Sequence, residues 1–130
     1  MLAPFGIRPK GTLAQRMLPL AQALAERGWH CTIVAPAYTW PADAGRVETI
    51  KHVRVEHVRL PVLPGPGHAV ETSLRMLRAV LGARPDVVHV FKPKGYSGLA
   101  ALALHLLYPH TACVQDTDDW EGWGGWNDLL

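Results

Sequence analysis

Carboxylates and tryptophans crowd the last fifteen residues, DTDDWEGWGGWNDLL, which carry five acidic side chains and no basic one. Asp116, Asp118 and Asp119 are candidates for a general base or for contacts to sugar hydroxyls, because a carboxylate accepts both protons and hydroxyl hydrogen bonds. Loop capping or simple solvation is the alternative for each aspartate. The segment therefore predicts a polar site near the end of the chain.

Three tryptophans in the same segment, Trp120, Trp123 and Trp126, are spaced three residues apart. The glycines between them disfavour a stable helix. In a glycine-rich loop, such rings serve either as a packing lid or as flat platforms for a sugar ring or a lipid chain. Packing against a neighbouring domain explains them equally well, and the sequence leaves these alternatives open.

Two loops share the tripeptide Pro-Lys-Gly, at residues 9–11 and 93–95, and each follows an apolar run. If the two preceding strands are neighbours in a sheet of order 3-2-1-4-5, Lys10 and Lys94 face one crevice together with two helix N-termini. Such a crevice suits a diphosphate. The alternative is ordinary turn chemistry with solvated lysines. Neither loop matches a Walker A or G-x-G-x-x-G pattern, which weakens a P-loop or dinucleotide-binding interpretation.

Strand-like and helix-like patterns alternate along the chain and predict a Rossmann-like α/β fold, a doubly wound, mostly parallel sheet with helices on both faces. Strands are predicted at residues 1–4, in WHCTIVAP, in one or two segments of residues 46–60, in DVVHVF and in TACVQD. Buried helix faces are predicted at Leu13, Met17, Leu20 and Leu24, and at Val70, Leu74, Leu77 and Leu81. A third helix is expected to run to Leu107 with Ser97 as its N-cap.

Pro19 falls inside the first of these helical patterns, where it would remove a backbone hydrogen bond. Either the helix begins near Leu18, with Pro19 in its first turn, or a longer helix kinks there.

Composition favours one globular domain, since 48% of the 130 residues are hydrophobic and 18% are charged. Basic residues dominate the chain before Asp116, but they are scattered and do not form a nucleic-acid footprint. There is no signal-peptide pattern and no apolar run of the length a membrane span needs. We therefore expect a cytoplasmic protein.

The cysteines and histidines show no metal-ligand or triad spacing. Cys31 and Cys113 lie in apolar runs, which predicts reduced, buried thiols. His89, within DVVHVF, is expected to be a satisfied core side chain, and His57 is expected at the surface. No metal and no cofactor is predicted.

Three segments in this order resemble one family. GTLAQRMLPLAQALAERGWHCTIVAP is similar to the first βαβ unit of GT-B glycosyltransferases, in which a glycine loop precedes a helix ending in RG. RPDVVHVFKPKGYSGLAAL resembles the fourth strand and its helix, and DTDDWEGWGGWND resembles the end of the fifth strand in a bacterial subgroup of family 4. The likeness covers nearly the whole chain.

The resemblance implies the N-terminal, acceptor-side domain of a retaining transferase that moves a sugar from a nucleotide-sugar to an acceptor. Residues 1–130 would form this single domain, and the C-terminal donor-binding domain would be absent from them. Peripheral association with the inner membrane face fits a lipid-linked acceptor. By the resemblance, Lys10 and Gly11 approach the donor diphosphate, and the acceptor contacts fall on Lys94, Gly95, Asp116, Asp118, Asp119 and Trp120. The chemistry of the carboxylate makes Asp118 and Asp119 the catalytic candidates, and Trp123 is a further candidate for acceptor binding.

Half of a two-domain enzyme should not transfer sugar alone, so we predict that this chain is inactive without a C-terminal domain or partner subunit. The main alternative is a non-catalytic binding or scaffold subunit that keeps the fold and pairs with a separate chain. A third interpretation is a free-standing nucleotide- or flavin-binding domain. The lack of a phosphate-binding sequence motif weakens this interpretation.

Overall fold

Residues 1–8 and 13–117 are described by the computed structural model, and within them strands and helices alternate. A π-helical turn, Leu13–Met17, leads into the first α-helix, and a 3-10 turn, Pro41–Asp43, follows the first strand. The strands are β1 (Thr32–Pro36), β2 (Val47–Ile50), β3 (Val53–Val58), β4 (Val87–Phe91) and β5 (Ala112–Asp116), and the α-helices are α1 (Leu18–Ala25), α2 (Pro66–Gly82) and α3 (Gly95–Leu107).

Leu2 joins the two halves of the sheet. It forms parallel bridges to Val34 of β1 on one side and to Val90 of β4 on the other. Its N–H donates to the His89 carbonyl at 2.7 Å, and its own carbonyl accepts from the Phe91 N–H at 3.0 Å. With the β1–β3–β2 and β4–β5 pairings, the order across the sheet is β5-β4-(Leu2)-β1-β3-β2. The predicted doubly wound sheet is confirmed, and among the strands of the described residues β2 alone is antiparallel.

Apolar side chains of alternate parity fill the two faces of the sheet, as fully buried parallel strands require. On one face, Val34 and Val90 pack with Met76 of α2 and Leu104 of α3. On the opposite face, Ile33, Val55 and Phe91 pack with Met17 and Ala21 from the first helical segment. The sheet is thus covered by α2 and α3 on one side and by α1 on the other.

Pro19 lies in the first turn of α1, where its missing N–H is tolerated, so the helix begins at Leu18. The predicted face of this helix is correct for its first half only. Leu13 and Met17 are buried, but Leu20 is 41% exposed and Ala21 is buried instead. The passage from π-helix to α-helix between Met17 and Leu18 changes the periodicity on which the prediction relied.

The predicted buried face of α2 is correct for its second half, where Leu77 is buried and Leu81 packs against the core, but not for its first half. Val70 and Leu74 are exposed, whereas Thr72, Ser73, Met76 and Val80 are buried. The Ser73 hydroxyl donates to the Ala69 carbonyl at 2.7 Å, which lets a polar side chain enter the core. Because α2 buries Thr72 and Ser73, a stripe drawn from apolar residues alone assigns Val70 and Leu74 to the core in their place.

The segment of residues 46–60 forms a hairpin of β2 and β3, turning at Lys51 and His52. Both residues have positive φ, 45° and 69° respectively. This is the backbone that two-residue hairpin turns need, usually supplied by asparagine and glycine. Lysine and histidine are not typical residues of such turns. For this reason the sequence did not decide whether residues 46–60 form one strand or two.

Two further expectations are wrong. The N-cap of α3 is Lys94, and Ser97 lies inside the first turn, where its hydroxyl donates to the carbonyls of Lys92 and Lys94 at 3.0 and 2.9 Å. The cysteines are free, but Cys31 is only half-buried and Cys113 is exposed, because β5 lies at an edge of the described sheet.

Candidate functional site

Three predicted site residues lie at the carboxyl edge of the sheet. Lys94 and Gly95 follow β4 at the start of α3, and Asp116 ends β5 beside Phe91 of β4. The Lys92 N–H donates to the Asp116 carbonyl at 2.8 Å, which ties the β4 loop to the end of β5. Ligands of doubly wound sheets bind at this edge, near the point where strand order reverses.

The bridges of Leu2 also place the loop that begins at Pro4 between the ends of β1 and β4, as the 3-2-1-4-5 order predicts. The other predicted site residues lie outside the described part of the chain: Lys10, Gly11, Asp118, Asp119, Trp120 and Trp123.

The loop between β4 and α3 is tightly built. Lys92 and Gly95 both have positive φ, at 48° and 47°. A Cβ added to Gly98 would lie 2.7 Å from the Pro93 carbonyl oxygen, so only glycine fits there. With the two hydrogen bonds of the Ser97 hydroxyl, this packing fixes the backbone that carries Lys94. The N-terminus of α3 is thereby held at the carboxyl edge, where its backbone N–H groups favour an anion.

His89 was predicted to be a core residue whose hydrogen bonds are all made, and this prediction is wrong. Its Nε2 atom is buried and has no hydrogen-bond partner among the described residues. Asp116 Oδ2 lies 3.5 Å from that atom, close enough for an ionic contact when the imidazole is protonated but not a hydrogen bond. The side chains share one face of the sheet, because His89 pairs with Val114 and Asp116 follows two residues later.

An aromatic row links four segments at the same edge. Tyr38, from the loop after β1, contacts Phe5 edge-on at a centroid distance of 6.5 Å and Tyr96 of α3 at 5.5 Å. His68, near the start of α2, lies 5.9 Å from Tyr96. The Tyr38 hydroxyl donates to the Pro4 carbonyl at 3.2 Å. Burial and the neighbouring Tyr96 raise the pKa of Tyr38 above its ordinary value.

Arg8 is the centre of an ion-pair network between the loop after Leu2 and the β2 edge. One guanidinium nitrogen lies 2.6 Å from Asp43 Oδ2, and the other lies 2.7 and 2.9 Å from the two carboxylate oxygens of Glu48. Arg46 approaches the same carboxylates from the other side, at 3.5 and 3.3 Å. Asp43 is only 3% exposed. The charges of the two arginines balance those of the two carboxylates.

His57 is the last member of this network and contacts Glu48. It is 1% exposed, and its Nε2 lies 3.1 Å from Glu48 Oε1, whereas its Nδ1 has no partner among the described residues. The expectation of a surface position is wrong. The alternation of buried and exposed side chains along β3 could have predicted this burial, because His57 points to the same face of the strand as the buried Val53 and Val55. Burial raises the pKa of Glu48, but the hydrogen bond with His57 and the charges of Arg8 and Arg46 outweigh it and lower that pKa below its ordinary value.

Asp43, Glu48 and His57 have the composition of a cation site. Their ligand atoms all lie within 4.8 Å of one another. Both carboxylates, however, already contact the guanidinium groups of Arg8 and Arg46. A divalent cation would be repelled by two positive charges and would have to displace charge-assisted hydrogen bonds. We therefore interpret the cluster as an ion-pair network.

Two cavities of the described chain lie away from the β4–β5 loops. A groove of about 960 Å³ separates β3 from α2 and is lined by arginines that include Arg54, Arg59, Arg75 and Arg78. A more apolar cavity of about 500 Å³ lies near the amino ends of β1 and β4. We place the candidate site at the carboxyl edge because the topology and the convergent loops both select it.

The sheet order and the loops that converge at its carboxyl edge define the class of the protein, a doubly wound α/β domain. The chain belongs to the glycosyl transferase 4-like domain family, whose sequence model matches residues 11–128. The resemblance seen in the sequence is thereby confirmed. No curated protein and no solved structure matches the chain. Within residues 1–8 and 13–117, no helix has the length and apolarity needed to cross a membrane.

Proposed function

We propose that this glycosyltransferase domain is the acceptor-side half of an enzyme that transfers a sugar, with retention, from a nucleotide-sugar to a sugar or lipid-linked acceptor. A second, donor-binding domain completes the active site, on the same polypeptide or on a partner subunit. The carboxyl edge of the sheet faces that domain. The proposal is supported by the family match over residues 11–128 and by the position of Lys94, Gly95 and Asp116 at this edge.

The observation that supports the proposal most strongly is the position of Leu2 between β1 and β4. It brings the loop after Leu2 beside the loop that carries Lys94 and Gly95. Both loops then border the same crevice at the point where strand order reverses, the usual ligand position in such sheets. A sugar diphosphate offers the negative charge that a lysine and the N-terminus of α3 would bind.

The proposed roles follow from position and chemistry. Lys10 and Gly11 contact the donor diphosphate, whereas Lys94, Gly95 and Asp116 contact the acceptor. Asp116 is 3.5 Å from His89, so an acceptor hydroxyl bound by this carboxylate would lie close to an imidazole. The remaining proposed roles belong to the terminal segment: Asp118 and Asp119 as catalytic carboxylates, and Trp120 and Trp123 as acceptor contacts.

Binding of uridine diphosphate and of pyrophosphate, followed by amide chemical shifts in the chain as it is, tests the proposal. We expect the shifts to concentrate at the ends of β4 and β5 and in the loop after Leu2. Lys10→Ala and Lys94→Ala should weaken binding. Lys51→Ala is the matched control, because Lys51 lies in the β2–β3 turn at the opposite edge of the sheet.

A coupled assay for nucleotide release addresses activity. The chain alone should release no nucleotide from a nucleotide-sugar above the level of a Lys10→Ala/Asp119→Ala double variant. Chemical shifts confined to the arginine-lined groove, or turnover by the chain alone, would contradict the proposal. Specific binding of a protein partner without any nucleotide binding would favour the non-catalytic scaffold instead.

A further inference from the structure

We propose that the arginine-lined groove between β3 and α2 is a docking surface for an acidic amphipathic helix of a partner protein. The inference is independent of the proposed sugar transfer, because the groove lies apart from the β4–β5 loops. Its volume is about 960 Å³, and its lining includes Arg54, Arg59, Arg75 and Arg78. The uncovered sheet, the charge of the groove and the surface of α2 all favour this occupant.

One face of the β2–β3 hairpin is largely uncovered on the side of the sheet that carries α2. Val47 pairs with Glu56 and Thr49 pairs with Arg54, so these four side chains share that face. Val47 is 49% exposed, and the side chain of Arg54 is 55% exposed. Within the described ranges no helix lies over these residues, although α2 packs on the neighbouring β1. The hairpin therefore presents a bare sheet face beside a helix.

The dimensions of this face fit one further helix. From Arg54 to Arg59 the hairpin wall is about 16 Å long, at about 3.3 Å per residue. From Glu71 to Gly82 the opposite wall, on α2, is also about 16 Å long, at about 1.5 Å per residue. Packed helices lie about 8–10 Å apart, or about two strand spacings, so a helix beside α2 would lie over β2 and β3. A helical segment of about three turns therefore fills the groove.

Both carboxylates of the groove are already paired within the protein. Arg54 contacts Glu56 at 3.1 Å. Glu71 contacts Arg75 through one carboxylate oxygen, and through the other it accepts two backbone N–H groups of the preceding loop at 2.8 and 2.9 Å. These four side chains therefore balance one another in charge.

Arg59 and Arg78 supply the remaining positive charge of the groove. Both are exposed, and neither forms an ion pair with a carboxylate of residues 1–8 or 13–117. They stand on opposite walls, since Arg59 directly follows β3 and Arg78 belongs to α2. The stem of Arg59 lies against Gly45, where a Cβ would be 3.1 Å from its Cγ. An acidic segment in the groove would thus meet on each side a guanidinium, which pairs well with a carboxylate.

Apolar surface in the same groove calls for an amphipathic partner. Leu74 of α2 is 46% exposed and faces the groove from the wall opposite Val47. Ala79 and Gly82 also line it, and a Cβ at Gly82 would meet no atom within 4 Å. Because the distance between packed helices depends on the side chains at their contact, these small residues admit a close neighbour. The partner is therefore a helix with apolar side chains on one face and carboxylates beside the two arginines.

An anionic membrane surface fits the groove less well than a helix does. The arginines line a concavity, and Glu56 and Glu71 stand among them. A flat layer of anionic headgroups would reach few of the arginines and would be repelled by both carboxylates. A discrete helix, in contrast, can place each of its carboxylates beside an arginine.

The test measures the binding of labelled helical peptides of about fourteen residues to the chain as it is. One set carries glutamates on one face and leucine or alanine on the other, at several spacings, and a matched set carries glutamine in place of glutamate. We expect glutamate peptides to bind, to shift amide resonances of β3 and α2, and to lose affinity as salt rises from about 0.05 to about 0.5 M. The glutamine peptides should bind at least about tenfold more weakly.

Groove variants identify the site of binding. The double variant Arg59→Ala/Arg78→Ala should weaken binding of the glutamate peptides by about tenfold. Arg27→Ala is the matched control, because Arg27 is an exposed arginine that follows α1 on the opposite face of the sheet. Gly82→Leu should block the groove and leave the midpoint of thermal unfolding nearly unchanged, since that position is open. Arg78→Glu should shift the preference from glutamate peptides to lysine peptides.

The inference is wrong if no glutamate peptide binds, or if the double variant and Arg27→Ala lose the same affinity. Vesicles of phosphatidylserine that bind the wild type but not the double variant, in the absence of peptide binding, would assign the groove to a membrane surface and also overturn it. These results are separate from the test of sugar transfer, because the groove variants leave Lys94 and Asp116 intact. A chain that binds no nucleotide at the carboxyl edge should still bind the glutamate peptides.

Discussion

Gly98 lies so close to Pro93 that a Cβ on the glycine would be 2.7 Å from the proline's carbonyl oxygen. The contact joins the first turn of α3 to the loop that leaves β4. The proposed acceptor contacts Lys94 and Gly95 lie between these two residues. The geometry of the site therefore requires a residue without a side chain, glycine, at position 98.

Gly98→Ala should therefore destabilise the domain by about 1–3 kcal/mol, because either the helix or the loop must move. Gly82→Ala is the matched control, since a Cβ at this helical glycine meets no atom within 4 Å. There the gain in helix propensity should stabilise the protein by at most about 1 kcal/mol. Urea denaturation of both variants measures the difference, and equal free energies of unfolding would contradict the close approach.

Met76→Ala should cost about 2–5 kcal/mol, because Met76 is fully buried between α2 and the sheet. Leu74→Ala, two residues earlier on the same helix, should change stability by less than about 0.5 kcal/mol, since Leu74 is 46% exposed. Chemical denaturation again gives both values. A larger loss at Leu74 than at Met76 would restore the helix face predicted from the sequence.

His52→Gly should stabilise the protein by about 0.4–1 kcal/mol, because His52 has a φ of 69° that glycine adopts without strain. The same substitution at Glu26, where φ is −61°, should destabilise instead, because glycine only adds freedom to the unfolded chain there. The midpoints of thermal unfolding of the two variants should shift in opposite directions. Shifts of the same sign would show that the hairpin turn is not strained.

Glu48 makes the free energy of unfolding depend on pH in the acidic range. Its pKa is lowered in the folded state relative to the ordinary value of 4.5, so between these two values the unfolded chain binds more protons. The contribution of Glu48 is fully present above its unfolded pKa and is lost as the pH falls through the lower folded pKa. The free energy of unfolding of the wild type should decline from about pH 5 downward.

Glu48→Gln should flatten this decline, because glutamine cannot be protonated in that range. A series of urea denaturations from neutral pH to about pH 3 measures both slopes. Glu26→Gln, at the end of α1, removes a carboxylate outside the network and should leave the slope close to that of the wild type. Identical slopes for wild type and Glu48→Gln would contradict the ionic network.

Much of the fold could be predicted because its signals are local. Continuous apolar runs mark β1 and β4, and the punctuation by glycine and proline separates them from the helices. The position of residues 1–4 beside β1 and β4 also followed from the topology rule for such sheets. The loop after β4 was identified by the same rule, which placed Lys94 and Gly95 correctly at the carboxyl edge.

The errors arose where tertiary packing overrides a local pattern. α2 buries Thr72 and Ser73, and no apolar stripe announces this. The Arg8 network unites residues from three separate segments. Apart from the alternation that places His57 inward, nothing in the spacing of Asp43 and Glu48 relates them to Arg8. Polar residues that satisfy one another across the fold leave no period in the sequence.

The bridges of Leu2 to Val34 and Val90 have a consequence for how the protein is made. Leu2 leaves the ribosome well before Val90, one of its two neighbours in the sheet. Until β4 emerges, the middle of the sheet has one open side, and contacts so distant in sequence form slowly. Between the synthesis of β1 and that of β4 the nascent domain therefore carries an unpaired apolar edge, and this is the interval in which a chaperone would be most needed.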